Sequence, residues 1–376
     1  MKRIVFNSAM AVCLALLASC AGSEHKGDCV EITVDIHRQG EIKDFIKSMD
    51  GYVFLETNDS SILQGIDKLK IEDDVIYIAD GDVLQMFGKK DGKWLGKIDR
   101  QGRGPGEYMY INDFDVYESE IYVLTGDRII VYDNLGSALR TVKLKYAYDK
   151  FCIIDRGRIW LYSSRSNDGK FNFVLIDPSE DSKVLAKYDP FEENESYLFS
   201  DNRPFFGEES GFVYTAQIYD NIVYRLSEDE YELVYEFDIN LKNRVTQEEL
   251  HGSGYEKLSE KYKNEESLRN IEYIGIDNNT LFAEFSSFLT ERGYRESFVK
   301  MDLKTGATEH YLINEAIDPA FPLFDSSSIR GYEGKTVISS VYAAWAKKQG
   351  EDFGFEDLAA ISKYDNPVLV FHTLNY

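Results

Sequence analysis

A pair of hairpins recurring six times constrains this chain more than any other feature. The first hairpin of each pair joins two apolar strands through a tight polar turn. Three copies run Ile66 to Ala79 around Glu72-Asp73-Asp74, Phe114 to Leu124 around Glu118-Ser119-Glu120, and Cys152 to Tyr162 around Asp155-Arg156-Gly157. The other three run Phe205 to Ala216 around Glu208 to Gly211, Tyr273 to Phe285 around Asp277-Asn278-Asn279, and Ser328 to Val341 around Tyr332-Glu333-Gly334. A second hairpin follows each, turning at Gly88 to Lys93, Asp133 to Gly136, Asp177 to Glu180, Ser227 to Asp229 and Leu303 to Gly306, with the sixth read over Leu358 to Leu374. Val, Ile and aromatic runs separated by Gly, Asn, Asp and Ser are strands and turns because branched side chains suit a pleated surface and those turn residues accept tight backbone angles. Four strands repeated at a period of roughly 40 residues make a propeller blade. The expected fold is all-β: a six-bladed β-propeller of four-stranded antiparallel blades, one domain over residues 30–376. A pair of β-sandwiches would not repeat hairpin pairs in one order.

A propeller ring must close. Tyr52 to Thr57 followed by Ile66 to Leu69 looks like the end of one blade and the start of the next, so an N-terminal strand is expected to pair with the last blade. Closure leaves no long unpaired edge. Val30 to Ile36 offers another outer strand, and Val368 to Leu374 is read in the same outer role, which would give the final sheet five strands. Seven blades are a minor alternative.

The N-terminus carries Lys2 and Arg3, an apolar run from Ala9 to Leu17, and Leu17-Ala18-Ser19-Cys20. A basic start, a short apolar stretch and small residues define a cleavable export signal over residues 1–19, and Leu17-Ala18-Ser19-Cys20 resembles a bacterial lipobox with Cys20 as the lipidated residue. Residues 20–29 read as a tether. Lipidation would place the protein in the bacterial envelope, exported and anchored to a membrane through Cys20, with the outer membrane as the expected location. No later stretch reaches the roughly 20 apolar residues of a membrane helix. The net charge of -24 excludes nucleic acid as a partner, because binding a phosphate backbone requires a basic surface that releases counterions. Cys29 and Cys152 could form a disulfide in an exported compartment or remain two thiols, and spacing alone does not decide.

Loop length separates the two faces of such a ring. The long connections Asp99 to Tyr110, Glu192 to Arg203, Leu241 to Asn270, Ser286 to Glu296 and Ala343 to Glu356 fall on one side, which is the expected contact face. The 241 to 270 stretch reads as a short helical insertion between blades 4 and 5, with Thr246 and Glu249 spaced as a capping box. Gly102-Arg103-Gly104-Pro105-Gly106-Glu107 is a shape-determining loop, since Gly permits positive φ and Pro fixes it. Arginine suits carboxylates and planar polar groups, and aromatic rings suit sugars and peptides. The candidate ligand-binding residues are therefore Arg100, Arg103, Glu107, Tyr108, Arg165, Tyr219, Asp220, Tyr294, Arg295 and Trp345.

The lipobox ending in Cys20, the segment Val53-Phe54-Leu55-Glu56-Thr57, the 102–107 loop and Tyr219-Asp220-Asn221-Ile222-Val223-Tyr224 together resemble the NHL-type six-bladed propeller lipoproteins of Gram-negative bacteria. The loop arginines and aromatics suit a glycan or a peptide, with a partner protein as the other candidate, and the resemblance implies an envelope protein working beside nutrient-capture machinery. It does not imply chemistry, because fold does not set function.

The competing expectation is a metal-dependent lactonase- or lyase-like propeller with a divalent cation such as calcium on the axis. Asp113, Asp115 and Asp220 are its candidate ligands. No EF-hand loop, HExxH or G-x-S-x-G pattern occurs, and the five histidines are scattered. No catalytic residue or required cofactor is therefore assigned, and binding is the favoured reading.

Overall fold

The computed structural model describes residues 29–35, 39–164, 169–191, 204–209, 212–216, 220–241, 249, 266–289, 293–313 and 318–375. Three N-terminal strands come first: β1 (Val30–Val34), β2 (Gln39–Gly40) and, after the short helix α1 (Ile42–Phe45), β3 (Ile46–Phe54). Blade 1 is β4 (Lys68–Glu72), β5 (Val75–Asp80), β6 (Val83–Gly88) and β7 (Trp94–Ile98). Blade 2 is β8 (Asp113–Tyr117), β9 (Glu120–Thr125), β10 (Arg128–Tyr132) and β11 (Ala138–Lys143). Blade 3 is β12 (Lys150–Asp155), β13 (Arg158–Tyr162), β14 (Phe171–Asp177) and β15 (Lys183–Pro190). Blade 4 is β16 (Phe206–Glu209), β17 (Phe212–Thr215), β18 (Ile222–Leu226) and β19 (Tyr231–Ile239). Blade 5 is β20 (Ser267–Asp277), β21 (Thr280–Leu289), β22 (Gly293–Asp302) and β23 (Thr308–Ile313). Blade 6 takes β24 (Ile329–Glu333), β25 (Thr336–Val341) and β26 (Val368–Leu374) from the C-terminus and β3 from the N-terminus.

The six-bladed propeller is thus observed, and the ring closes as expected by antiparallel pairing of β26 with β3, from Val368 opposite Phe54 to Leu374 opposite Ile46. Four details differ from expectation. Val368 to Leu374 is the third strand of blade 6, because β3 already holds the outer position, so that blade has four strands. The five-stranded sheets are blades 4 and 5, to which β1 and β2 add in parallel alongside β19 and β23. Leu358 lies in a helix: the segment between β25 and β26 forms α2 (Ala343–Phe353) and α3 (Glu356–Ala360). The left-handed Gly354 ends α2 with its N–H on Gly350 O, a helix stop that glycine supplies at little steric cost. The helical insertion expected in 241–270 falls almost wholly outside the described residues. The loop expected over 286–296 is instead largely strand, since β21 and β22 continue their pairing up to Leu289 opposite Gly293.

The burial pattern explains the sequence of each strand. Second and third strands are covered on both faces by neighbouring blades, so they are continuous apolar runs such as Ile76-Tyr77-Ile78-Ala79 and Ile159-Trp160-Leu161-Tyr162. The outer strand β11 is almost wholly exposed and correspondingly polar. Six hydrophobic seams, one between each pair of neighbours, hold the wheel together. Phe114 and Tyr132 seal blade 1 to blade 2, Leu124 and Phe151 seal 2 to 3, and Trp160 and Val213 seal 3 to 4. Phe237 and Phe285 seal 4 to 5, Phe298 and Val337 seal 5 to 6, and Ile338 and Phe87 seal 6 to 1. Each fully buried side chain of this size contributes about 1.5–3 kcal/mol.

Polar contacts repeat the same neighbour-to-neighbour logic. At one mouth of the central channel the first turns of successive blades are tied: Ser119 N donates to Glu72, Arg156 pairs with Glu118, and Lys335 pairs with Asp277. At the rim, the outer turn of a blade meets the outer strand before it. Gly92 shows why that contact is demanding: its φ is +63°, and a Cβ there would lie 1.9 Å from Phe54 O.

Candidate functional site

The connections at the other mouth are longer, and they are built rather than loose. In the 99–112 connection, Tyr108 is wholly buried, and its hydroxyl donates toward Asp82 O (2.9 Å) and Ile98 O (3.0 Å). Burial, with the nearby carboxylates of Asp99 and Asp82, pushes this phenol up to about 12 despite the Arg100 N–H directed at its oxygen. Glu107 folds back on the loop and accepts from Gly104 N at 2.7 Å, and a Cβ on Gly102 would meet its Oε2 at 2.0 Å. Tyr132 clamps the same loop by donating to Gly106 O at 3.0 Å. The motif is therefore a scaffold that leaves Arg100, Arg103, Met109 and Tyr110 exposed.

A second fixed element lies beside it. Asn366 is buried and bonds four partners: its carboxamide accepts from Leu63 N (2.8 Å) and donates to Glu56 O (2.9 Å) and Ser61 O (2.8 Å), while its backbone N–H donates to Thr57 Oγ1 (2.7 Å). It welds the connection between blades 6 and 1 to the end of the α2–α3 segment. Tyr52 reaches the same segment through Asp357 at 2.7 Å. On this framework Tyr342 and Tyr364 are each 76% exposed, with Ile62 also exposed. Large apolar side chains held outward by rigid connections are the usual material of a contact surface. Leu135, on an outer turn of blade 2, is the exposed counterexample elsewhere.

The expected site residues distribute unevenly over this arrangement. Arg100 and Arg103 are exposed on the long-connection face. Tyr108, expected there, is core beneath the loop, and Glu107 is engaged by the loop itself. Trp345 is half-buried against the blade 6 cluster of Leu323 and Leu358. Arg295 sits opposite Ser287 within β22, and Asp220 is buried, accepting from Ile222 N at 3.2 Å just before β18. Arg165 and Tyr219 lie outside the described residues, as does the side chain of Tyr294. Tyr110, Tyr342 and Tyr364 were missed, although the signal was present: a tyrosine follows β25 directly and another stands shortly before β26.

The axis holds a cavity of about 730 Å³ lined by the inner strands. Lys68 Nζ reaches Asp113 Oδ1 at 2.8 Å, and Lys70 pairs likewise with Asp115. The free oxygens of both carboxylates accept from blade 3, Asp113 Oδ2 from Phe151 N and Asp115 Oδ2 from Ile153 N, each at 3.0 Å. One Lys–Asp–amide staple thus crosses three blades, twice. Burial opposes ionisation of Asp115, but Lys70, Lys68 and the Ile153 amide outweigh it and hold the carboxyl below its ordinary range. The expected axial trio is not assembled, since Asp113 and Asp115 are committed to lysines and Asp220 stands by the third strand of blade 4. Among the described residues no group of three or more His, Cys, Asp or Glu could hold a metal ion. Cys29, before β1, is half-buried and Cys152, in β12, is buried, and the two are not joined to each other.

Similar solved structures share this architecture at low sequence identity. A Bacteroides fragilis protein inferred to be exported is 17% identical with a TM-score of 0.71, covering 92% of this chain and 100% of its own. A member of the DUF4221 family from Bacteroides vulgatus is 10% identical with a TM-score of 0.54, covering 87% and 97%. No curated protein matches the chain. Over residues 29–373 the sequence matches the model of DUF4934, a domain of unknown function, and the chain belongs to that family.

Proposed function

We propose that this protein is an exported, lipid-anchored binding propeller of the bacterial envelope, which holds its long-connection face toward a glycan, a peptide or a partner protein of nutrient-capture machinery. One observation carries the reading: exposed Tyr110, Tyr342, Tyr364 and Met109 stand on one face, on connections fixed by Tyr108 and Asn366, while the first turns at the opposite mouth are tied to one another. Arg100 and Arg103 add charged donors to the same face. The inferred export of the similar Bacteroides fragilis protein, the lipobox at Cys20 and the resemblance to NHL-type propeller lipoproteins support placement in the envelope.

The test is to purify the protein from native membranes and probe glycan and peptide arrays alongside a Tyr342→Ala/Tyr364→Ala variant and an Arg100→Ala/Arg103→Ala variant. Retention of a ligand or co-purifying envelope protein by the wild type, weakened at least tenfold in either variant with the melting temperature unchanged, is the expected result. Binding unaffected by both variants would defeat the assignment of the face. In parallel, palmitate labelling should be lost in Cys20→Ala.

A further inference from the structure

We infer that the axial cavity is a second binding site, for a small carboxylate-bearing sugar, separate from the outward face and independent of what that face binds. The staples are asymmetric. Every oxygen of Asp113 and Asp115 is spent: Oδ1 of each also accepts a backbone N–H, from Phe114 at 2.9 Å and Val116 at 2.8 Å, and Oδ2 of each takes a blade 3 amide. Their side chains are only 2% and 4% exposed, whereas Lys68 and Lys70 remain 34% and 28% exposed. An ammonium has three donors. The carboxylates are hidden, while Lys68, the more exposed of the two lysines they position, still turns its ammonium to the cavity.

Lys150 extends this wall. Its Nζ meets Asn112 O at 3.4 Å, one residue from the aspartate that holds Lys68, and among the described residues it has no carboxylate partner. All three lysines line the same cavity. The wall therefore presents cationic donors and few acceptors, which suits a carboxylate.

Across the cavity the chemistry changes. Tyr273 and Tyr332 are stacked with centroids 3.8 Å apart at 9°, Tyr332 donates its hydroxyl to Glu284, and Glu272 takes Ser286 Oγ at 2.7 Å and borders the cavity. Aromatic surface beside a carboxylate matches the apolar face and hydroxyl groups of a pyranose. The volume lies within the roughly 300–1,000 Å³ of small-molecule sites. A uronic acid is the simplest molecule with an anionic end for one wall and a hydroxylated ring for the other.

The experiment is calorimetric titration of the purified protein with galacturonate and its short oligomers, against galactose counterparts and acetate, at low and moderate salt. The uronates are expected to bind, with affinity falling as salt rises and at least tenfold tighter than the neutral sugars or acetate. Lys150→Met removes a cation without orphaning a buried carboxylate, and should weaken uronate at least tenfold while unfolding stays unchanged. Lys304→Met, the same loss of charge on an exposed outer turn, should leave binding intact. Equal affinity for galactose or acetate, no heat with any uronate, or a Lys150→Met protein that binds like the wild type would each overturn the assignment.

Discussion

Blades 1–3 and blades 4–6 are built from the same four-stranded unit but are fastened differently. The first half is stapled at its centre, where Lys68 and Lys70 reach through Asp113 and Asp115 to the amides of blade 3. The second half is fastened at its rim, where the N-terminal segment lays β1 on blade 4, β2 on blade 5 and β3 on blade 6 in chain order. The halves also differ in how completely they satisfy buried polar atoms. Among the described residues, Asn270 Oδ1, the hydroxyls of Ser287, Ser297 and Ser339, and both ring nitrogens of His372, all in blades 5 and 6, have no hydrogen-bond partner. In blades 1–3 the described exception is Asn172 Oδ1. A buried unsatisfied group costs about 1–3 kcal/mol, so the rim-strapped half carries polar costs that its hydrophobic seams must offset.

The sharpest way to break this contrast is Asp115→Ala, which removes the carboxylate that Lys70 and the Ile153 amide share. Removing one partner of a buried pair costs about 3–5 kcal/mol, which urea unfolding would read as a lower midpoint at unchanged slope. A loss below 1 kcal/mol would mean the staples do not fasten the first half. The same carboxyl, held low in the folded state, contributes stability that is present above the unfolded value of about 3.9 and lost as pH falls through the folded value.

His372 tests the other half in a different pH window. Burial depresses its imidazole to about 4, opposed by Asp50, against an ordinary 6.5, and Phe324 packs on its ring at 5.2 Å. The unfolded chain therefore takes up this proton first, and stability falls from about pH 6.5 down to about pH 4 by on the order of 3 kcal/mol. His372→Leu should keep or raise stability at pH 7, because no hydrogen bond is lost, and flatten that part of the pH profile. An unchanged profile would show that another group sets the acid limb.

Ile32→Val trims one methylene from a strap residue that is 1% exposed and should cost about 1 kcal/mol. Hydrogen exchange should quicken in β1 and β19 and leave β8 to β11 unaltered. Smallest of all, Arg156→Ala removes an exposed pair with Glu118, and its melting temperature should match the wild type, since exposed pairs contribute little.

What could be read from the chain followed the range of the interactions involved. Hairpins such as Ile66 to Ala79 were legible because alternation and turn chemistry are local. Ring closure through Val53 and Phe54 was legible because the segment reads as the end of a blade preceding the start of another. The sixth blade was misread where Leu358, apolar and shortly before a turn, belongs to a helix packed on the blade. The parallel seats of β1 and β2 leave no turn between partners to announce them. Asp113 and Asp115 are legible as axial by their place on a first strand, but their lysine partners are not, because Lys68-Leu69-Lys70 looks like the solvated side of a strand until the ring turns it inward. Tyr108 misled because an aromatic residue in a glycine-rich loop reads as surface, whereas here it is what the loop is folded around.

The rim strap sets a schedule for assembly. Synthesis delivers residues 30–54 before their partners, which emerge successively later in β19, β23 and β26. Each opening strand must wait with a bare edge until its own partner arrives, β3 the longest because it pairs with β26, and long-range pairing of this kind slows folding and exposes nascent chains to wrong partners. Cutting away the tail of this protein would therefore release its head.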